Sequence, residues 1–321
     1  MEVFNLTLTQ MLMMFTLILL GFVLRKKAIV PENTGSTLAK LETFIFTPFL
    51  TLSTQMARCT VKTFTENAPL ILYGTVIVIC AIIVSYPLSR LFVRKADNFE
   101  DSYRRNIYKY ALVFGNYGFM GNFIILGIWG EEMFFRYMLF NLVISIFCNG
   151  WGMYVLIPRD KNTNLAQHIK KALLTPPILA LALGIVFGLL DLAKFMPEFL
   201  LNAFDSAGKC QGPVAMVLAG AVIGGYNFKE LLTNKKVYWV TLLRLVVIPA
   251  VIMLILEAFG TPKDIMTLAL ITFATPLGLN TIVYPAAFGG ETKTGASMTM
   301  ISHTLSVITI PLMYLIFIVL L

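Results

Sequence analysis

The chain has 321 residues, of which 58% are hydrophobic and 13% are charged, and its net charge is +8. Soluble domains carry about 25% charged residues, so the composition excludes a soluble protein and favours a membrane protein. The net charge does not indicate a nucleic-acid partner, because the basic residues form short clusters between apolar runs rather than one amphipathic face.

Apolar runs of about 20 residues recur from end to end, and each is long enough to cross a bilayer as a helix. The first run precedes its basic cluster, whereas a signal peptide carries its charge first, so we expect this run to remain as a span. The sequence thus predicts an all-α polytopic membrane protein without a separate soluble domain. Its ten transmembrane helices are expected near residues 6–24, 38–57, 68–93, 109–129, 134–157, 172–190, 199–223, 237–257, 265–288 and 295–321.

Lysine and arginine are distributed unevenly: 18 lie in or beside the loops after odd-numbered spans and 5 in those after even-numbered spans. Because basic loops stay in the cytoplasm, we expect both termini outside, on the periplasmic face of a bacterial inner (plasma) membrane. Two halves of five spans, residues 1–157 and 172–321, would form an inverted repeat. Pro48 and Pro213 support this duplication, since they are separated by about half the chain.

Two spans contain residues that weaken a helix at mid-membrane depth. The fourth span has the sequence GNYGFMGN at residues 115–122, and the ninth has TPLGLNT at residues 275–281, followed by Pro285. Unsatisfied backbone groups in hydrocarbon cost several kcal/mol each, so opened segments persist only where protein, water or a ligand satisfies them. Helix packing or kinking would explain either segment alone, but a matching pair indicates a binding site.

The half-helix that follows each break begins with a partial positive charge of about half a unit, which favours an anion. Side-chain amides beside the breaks add hydrogen-bonding groups for a carboxylate or a cation. Candidate sodium ligands are Asn116, Gln211 and Glu42; sodium symport, proton symport and uniport all stay open, and no other cofactor is expected. The candidate substrate-binding residues are Gly115, Asn116, Gly118, Gly121, Asn122, Pro276, Gly278, Asn280, Thr281, Gln211 and Lys209.

The opened segments resemble motifs of the auxin efflux carrier family, which belongs to the same superfamily as the bile acid sodium symporters. Residues 115–121 are similar to its Gly-Asn-x-Gly-x-x-Gly-x-Pro element, residues 275–281 to its Met-Pro-x-Ala-x-Asn-Thr element, and residues 46–48 and 302–312 to its second and closing spans. Phe123 is a departure, because the family has a proline there.

The resemblance implies a fold of ten helices in which the broken fourth and ninth spans cross. It also implies scaffold and transport domains, each drawn from both repeats, and a homodimer joined through the scaffold. Bacterial members of the family resemble malonate or malate carriers, and plant members export auxin, which is a carboxylate.

Charged residues within spans are functional candidates by default. Asp205 and Lys209, four residues apart on a helix, are expected to neutralise each other, with attraction of substrate by Lys209 as the alternative. Arg244 is expected to snorkel toward lipid phosphate. Glu42 either lies at a solvated helix end or binds a proton or sodium, and His303 either packs structurally or titrates near neutral pH.

No cluster of nucleophile, base and acid, and no metal-ligand motif, appears in the sequence, so we do not expect an enzyme. Adjacent carboxylates are also missing at the opened segments, which argues against sodium/proton antiport. The predicted function is a secondary transporter of small organic anions, such as malate, malonate or auxin-like acids. A membrane receptor that binds the anion without transporting it is the alternative.

Overall fold

The computed structural model describes residues 2–156, 174–287 and 290–321, and within these ranges the chain is helical and contains no β-strand. Several helices continue through short π-helical turns, for example Glu42–Phe46 and Leu243–Val247. The helices are α1 (Glu2–Lys26), α2 (Thr34–Leu41), α3 (Thr47–Arg58), α4 (Val61–Phe92), α5 (Phe99–Val113), α6 (Asn122–Phe140), α7 (Leu142–Phe147), α8 (Met153–Leu156), α9 (Pro176–Leu189), α10 (Glu198–Lys209), α11 (Gln211–Gly224), α12 (Phe228–Leu231), α13 (Lys235–Leu242), α14 (Ile248–Ala258), α15 (Lys263–Ala274), α16 (Asn280–Ala287) and α17 (Lys293–Tyr314).

Five helical stretches in the described ranges are long and apolar enough to cross a membrane without interruption. A sixth candidate is the bent pair Tyr117–Phe140 and Leu142–Leu156, whose two parts meet at 54°. Helix α6 is itself interrupted at Gly130, whose φ of 74° is not helical and which lies between predicted spans four and five. The predicted class of polytopic all-α membrane protein is therefore confirmed, whereas the count of ten spans stays a prediction. Predicted spans five and six include residues 157 and 172–173, which lie outside the described residues. The five stretches are Leu8–Lys26, Val61–Phe92, Glu198–Gly224, Lys235–Ala258 and Lys293–Leu320.

The helices pack in two groups, each of which takes helices from both halves of the chain. In one group α1 and α2 pack on α11, while α3 packs on α9 and α10. In the other group α4 packs on α5 and α6, while α17 packs on α13 and α15. Helix α15 is buried along Met266–Ala274, so its apolar side chains form the centre of the second group. Helices α4, α9 and α14 instead expose large apolar side chains such as Leu72, Leu183 and Leu254, as expected of surfaces that face lipid.

The two opened segments cross each other inside the second group. Helix α5 ends at Val113 and helical structure resumes at Tyr117, while α15 ends at Ala274 and α16 begins at Asn280. Gly115 and Leu277 form an isolated antiparallel β-bridge, and the amide of Asn116 donates to the carbonyl of Pro276 at 2.7 Å. We call these two breaks and their bridge the crossover. The prediction that both helices open is confirmed.

Both breaks are shorter than the sequence suggested. Residues 117–121 keep a π-helical turn, and Pro285 lies inside α16 instead of ending it. A proline removes one amide donor, but its fixed φ is compatible with a helix, so the backbone can continue through it. Only residues 114–116 and 275–279 leave helical geometry at the crossover.

Candidate functional site

A cavity of about 270 Å³ adjoins the crossover, between the two groups of helices. Its wall includes six of the predicted binding residues, Gly115, Asn116, Gly118, Asn122, Gly278 and Asn280. The helix formed by α2 and α3, the bent α6–α8 region and α9 provide the remaining wall. None of the described lining residues carries a charged side chain, so direct contacts with a ligand would come from hydroxyl, amide and backbone groups.

Asn116 is held in place by a histidine from α17. Its Nδ2 lies 3.1 Å from Nε2 of His303, and Nδ1 of His303 lies 2.8 Å from the carbonyl oxygen of Thr299. Because a carbonyl only accepts, Nδ1 carries the ring proton in this arrangement and Nε2 accepts from the amide. His303 is buried and positions the amide of Asn116 beside the cavity.

Asn280 is held from the opposite break by side chains that the sequence did not single out. Its Nδ2 donates to the hydroxyl of Tyr110 at 2.9 Å and lies 3.7 Å from Sγ of Cys148. The Tyr110 hydroxyl is itself 3.2 Å from Cys148 Sγ. Each opened segment thus presents one asparagine whose orientation is fixed by buried neighbours.

Residues in or just after each break line the cavity and have backbone N–H groups without an acceptor in the described ranges. The first amides of a helix have no partner within the helix. Among the described residues, no acceptor is found for the amide of Gly118 or Phe119 after the first break, nor for that of Gly278 or Leu279 in the second. All four residues line the cavity. These N–H groups can donate to an anionic group.

A model of the family described as membrane transport protein matches residues 6–314. The chain belongs to this family. It is the auxin efflux carrier family, whose motifs the two opened segments resemble. An uncharacterized transporter from Methanocaldococcus jannaschii is 22% identical over 318 residues, covering 94% of this chain and 96% of the relative. Family and relative are membrane transporters, so this chain is a transport protein of the membrane and not an enzyme.

Four other predicted binding residues of the transporter shape the opened segments without lining the cavity. Gln211 is buried and its Nε2 donates to the carbonyl of Gly118 at 3.2 Å, while Oγ1 of Thr281 donates to that of Gly278 at 3.0 Å. Pro276 accepts from Asn116 in the bridge, and Gly121 lies under the hydroxyl of Tyr137. These contacts satisfy or cover backbone that the breaks would otherwise leave unpaired.

Lys209 lies apart from this transporter's cavity. Its Nζ is 2.5 Å from Oδ2 of Asp205, its side chain is 68% exposed, and it is not among the lining residues. The pairing of Asp205 with Lys209 agrees with the structural interpretation of these two residues. An exposed ion pair of this kind contributes little to stability.

Glu42 is fully buried, which excludes the solvated helix end, one of its two alternatives, while the proton or sodium ligand stays a prediction. It lies in the π-helical turn that joins α2 to α3, in the interior of a continuous helix. Its Oε2 accepts from the hydroxyl of Thr47 at 3.4 Å, and its Oε1 has no partner among the described residues. No hydrogen bond in the described ranges joins Glu42 to the other sodium candidates, Asn116 and Gln211.

The expectation that Arg244 snorkels to lipid is also wrong. Its side chain is fully buried, its Nη2 donates to the carbonyl of Thr272 at 3.3 Å, and its guanidinium lies 5.6 Å from the ring centroid of Phe273. The depth of Arg244 along its span could be predicted from the sequence, but the face of the helix on which it lies could not. That face points toward the end of α15, where helix carbonyls without intrahelical partners attract a cation.

Phe123, which replaces the family's proline, packs against α11. A Cβ added to Gly212 would lie 1.9 Å from the Phe123 ring, so the ring fills the space above that glycine. Without the proline, helical geometry continues from the turn at Tyr117–Gly121 into α6, and Gln211 and Tyr137 donate to carbonyls of that turn.

Several lining residues follow a helical pattern that sequence reasoning did not use. Thr43, Thr47 and Thr51 are spaced by four residues and form a polar stripe on one face of the second predicted span. A similar stripe of Asn141, Ser145, Cys148 and Asn149 lies on the fifth. Polar residues at intervals of three or four in an otherwise apolar span were the available signal.

Proposed function

We propose that the transporter carries small organic anions, such as malate, malonate or auxin-like acids, by alternating access at the crossover. The observation that carries this proposal is a cavity bounded by two broken helices that cross. Irregular backbone in a membrane is tolerated where it lines such a cavity, and in secondary transporters it commonly holds the substrate.

The chemistry of the cavity wall supports a carboxylate as the bound group. A carboxylate is an acceptor only, and the wall offers amide N–H groups at Gly118, Phe119, Gly278 and Leu279. The amide nitrogen of Asn116 carries a second hydrogen beyond the one it shares with His303, whereas both hydrogens of the Asn280 amide are directed at Tyr110 and Cys148. Apolar lining residues from α9, such as Ile178 and Leu181, suit the hydrocarbon part of an organic acid.

The cavity lies where the two helix groups meet, which suits alternating access. Thr43, Thr47 and Thr51 approach it from the group of α2, α3, α9, α10 and α11, and the crossover approaches it from the other group. A displacement of one group against the other would open the cavity to either face in turn. We also propose a homodimer and an inner-membrane orientation with both termini outside, by resemblance to the family and from the distribution of basic residues.

The experiment is uptake into proteoliposomes of radiolabelled malate, malonate and indole-3-acetate, with and without sodium and proton gradients. The test variant is Asn116→Ala/Asn280→Ala, and the matched control is Asn202→Ala, which removes an exposed asparagine of α10. We expect wild type and control to accumulate at least one anion and the double variant to lose uptake while staying monodisperse in detergent.

Two results would overturn the proposal. If no anion enters under any gradient while one binds with micromolar affinity, the protein is a receptor. If the double variant transports as well as the control, the anion takes another route. Dimer formation is tested separately by the mass of the purified protein in detergent, where a monomer would contradict it.

A further inference from the structure

Four helix ends meet at the crossover, and their partial charges cancel. The segments after the breaks contribute two positive N-terminal ends, near Tyr117 and Asn280. Helices α5 and α15 contribute two negative C-terminal ends, at Val113 and Ala274. Each end carries about half an elementary charge, so the four together sum to about zero. The helix ends alone therefore do not explain why the site would prefer an anion to a neutral ligand.

Arg244 breaks this balance. Its guanidinium donates to the carbonyl of Thr272 in the last turn of α15, so it lies against one of the negative helix ends. A Cβ added to Gly115 would come within 2.6 Å of its Nη2. Gly115 also lines the cavity, so this one residue lies against both the guanidinium and the cavity space.

The positive charge of Arg244 has no anionic partner in the described ranges of the chain. Its Nε and Nη1 make no hydrogen bond there, none of the ion pairs found in those ranges involves it, and the side chain is fully buried. A buried cation without a counterion is costly in a membrane protein. That cost falls when an anion occupies the adjacent cavity, whose described wall contains no charged side chain of its own.

We infer that Arg244 is the fixed countercharge of the crossover and makes the adjacent cavity selective for a ligand with a single carboxylate. This inference rests on the proposed function, because it assigns the charge selectivity of the same site. Arg244 acts through Gly115 and through the end of α15, so it is a specificity-determining residue that need not touch the substrate. One fixed charge compensates one carboxylate and leaves a second buried carboxylate uncompensated.

The test compares binding of an acid and its neutral amide, indole-3-acetate and indole-3-acetamide, to purified wild type, Arg244→Gln, Arg244→Lys and the surface control Lys194→Gln. Arg244 lies against Gly115, which lines the cavity. At an effective dielectric constant of about 20, loss of its charge weakens the binding of an anion in the cavity on the order of 10- to 100-fold. We expect Arg244→Gln to lose that factor for the acid and to bind the amide within about threefold of wild type. Arg244→Lys and Lys194→Gln should keep the preference for the acid.

A merely structural role would weaken acid and amide equally, and that result, or unchanged acid binding by Arg244→Gln, would overturn the inference. A measurement on wild type alone covers the case in which Arg244→Gln does not fold. Malonamate, with one carboxylate, should bind more tightly than the dianion malonate, and the reverse order would overturn the inference. If wild type binds none of the acids, that result contradicts the proposed function itself and not only the role of Arg244.

Discussion

Gly115→Ala should damage the crossover, whereas Gly118→Ala should leave it intact. An added Cβ at Gly115 would meet Nη2 of Arg244 at 2.6 Å and both the carbonyl oxygen and Oγ1 of Thr275 at 2.7 Å. The carbonyl of Thr275 cannot move away from this Cβ without displacing the segment that contains Leu277, which forms the β-bridge with Gly115. At Gly118, three residues along the same segment, an added Cβ would meet nothing within 4 Å.

Overpacking of a close contact costs about 1–3 kcal/mol of unfolding free energy. At about 2–4 °C of melting temperature for each kcal/mol, Gly115→Ala should melt about 2–12 °C lower than wild type. Gly118→Ala should melt within about 2 °C of wild type, although its methyl group enters the cavity and reduces uptake of the larger substrates.

A thiol-reactive dye reports this unfolding in detergent, because Cys59 and Cys148 are buried in the native protein while Cys80 and Cys210 are exposed. Dye fluorescence should therefore rise when the two buried thiols open. Equal melting temperatures for the two glycine variants, or a larger loss for Gly118→Ala, would refute the packing of Gly115 against Arg244 and Thr275.

Three further variants test separate parts of the site. Tyr110→Phe removes the hydroxyl that accepts from Asn280, so the Michaelis constant for uptake should rise severalfold with little change in melting temperature; an unchanged constant contradicts this role. Lys209→Ala should transport normally, since Lys209 is exposed and lies outside the cavity. A large loss of uptake would show that Lys209 takes part in substrate binding after all. Arg136 and Asp264 join α6 to α15, and a double-mutant cycle on melting should give a coupling energy of about 0.5–1 kcal/mol; zero coupling contradicts the ion pair.

The breaks could be predicted from the sequence because their causes are local. Glycine at positions 115, 118 and 121, and the missing amide donor at Pro276, weaken a helix whatever surrounds it. The effect of Pro285 was overestimated. A single missing amide donor within a short helix does not end the helix when the backbone geometry allows it to continue. Local composition therefore locates a break better than it gives its length.

The surroundings of the breaks could not be predicted, because they depend on which helix faces which. The partnership of Asn116 with His303 spans 187 residues, and that of Asn280 with Tyr110 spans 170. Arg244 was assigned to lipid from its depth alone, and for Glu42 the depth left a solvated helix end and a proton or sodium ligand open. The stripe of Thr43, Thr47 and Thr51 did mark one face of the span that contains Glu42. Both Glu42 and Arg244, however, lie in π-helical turns, which shift the face on which a residue lies away from regular α-helical spacing.

The most direct test of transport through the crossover is an exchange measurement. Proteoliposomes loaded with the labelled anion that wild type accumulates are diluted into buffer with or without the same unlabelled anion outside. A carrier that alternates between two faces should release label faster when unlabelled anion is present, and Asn116→Ala/Asn280→Ala should release none above protein-free liposomes. Efflux that does not respond to external anion, or that persists in the double variant, would contradict alternating access at this site.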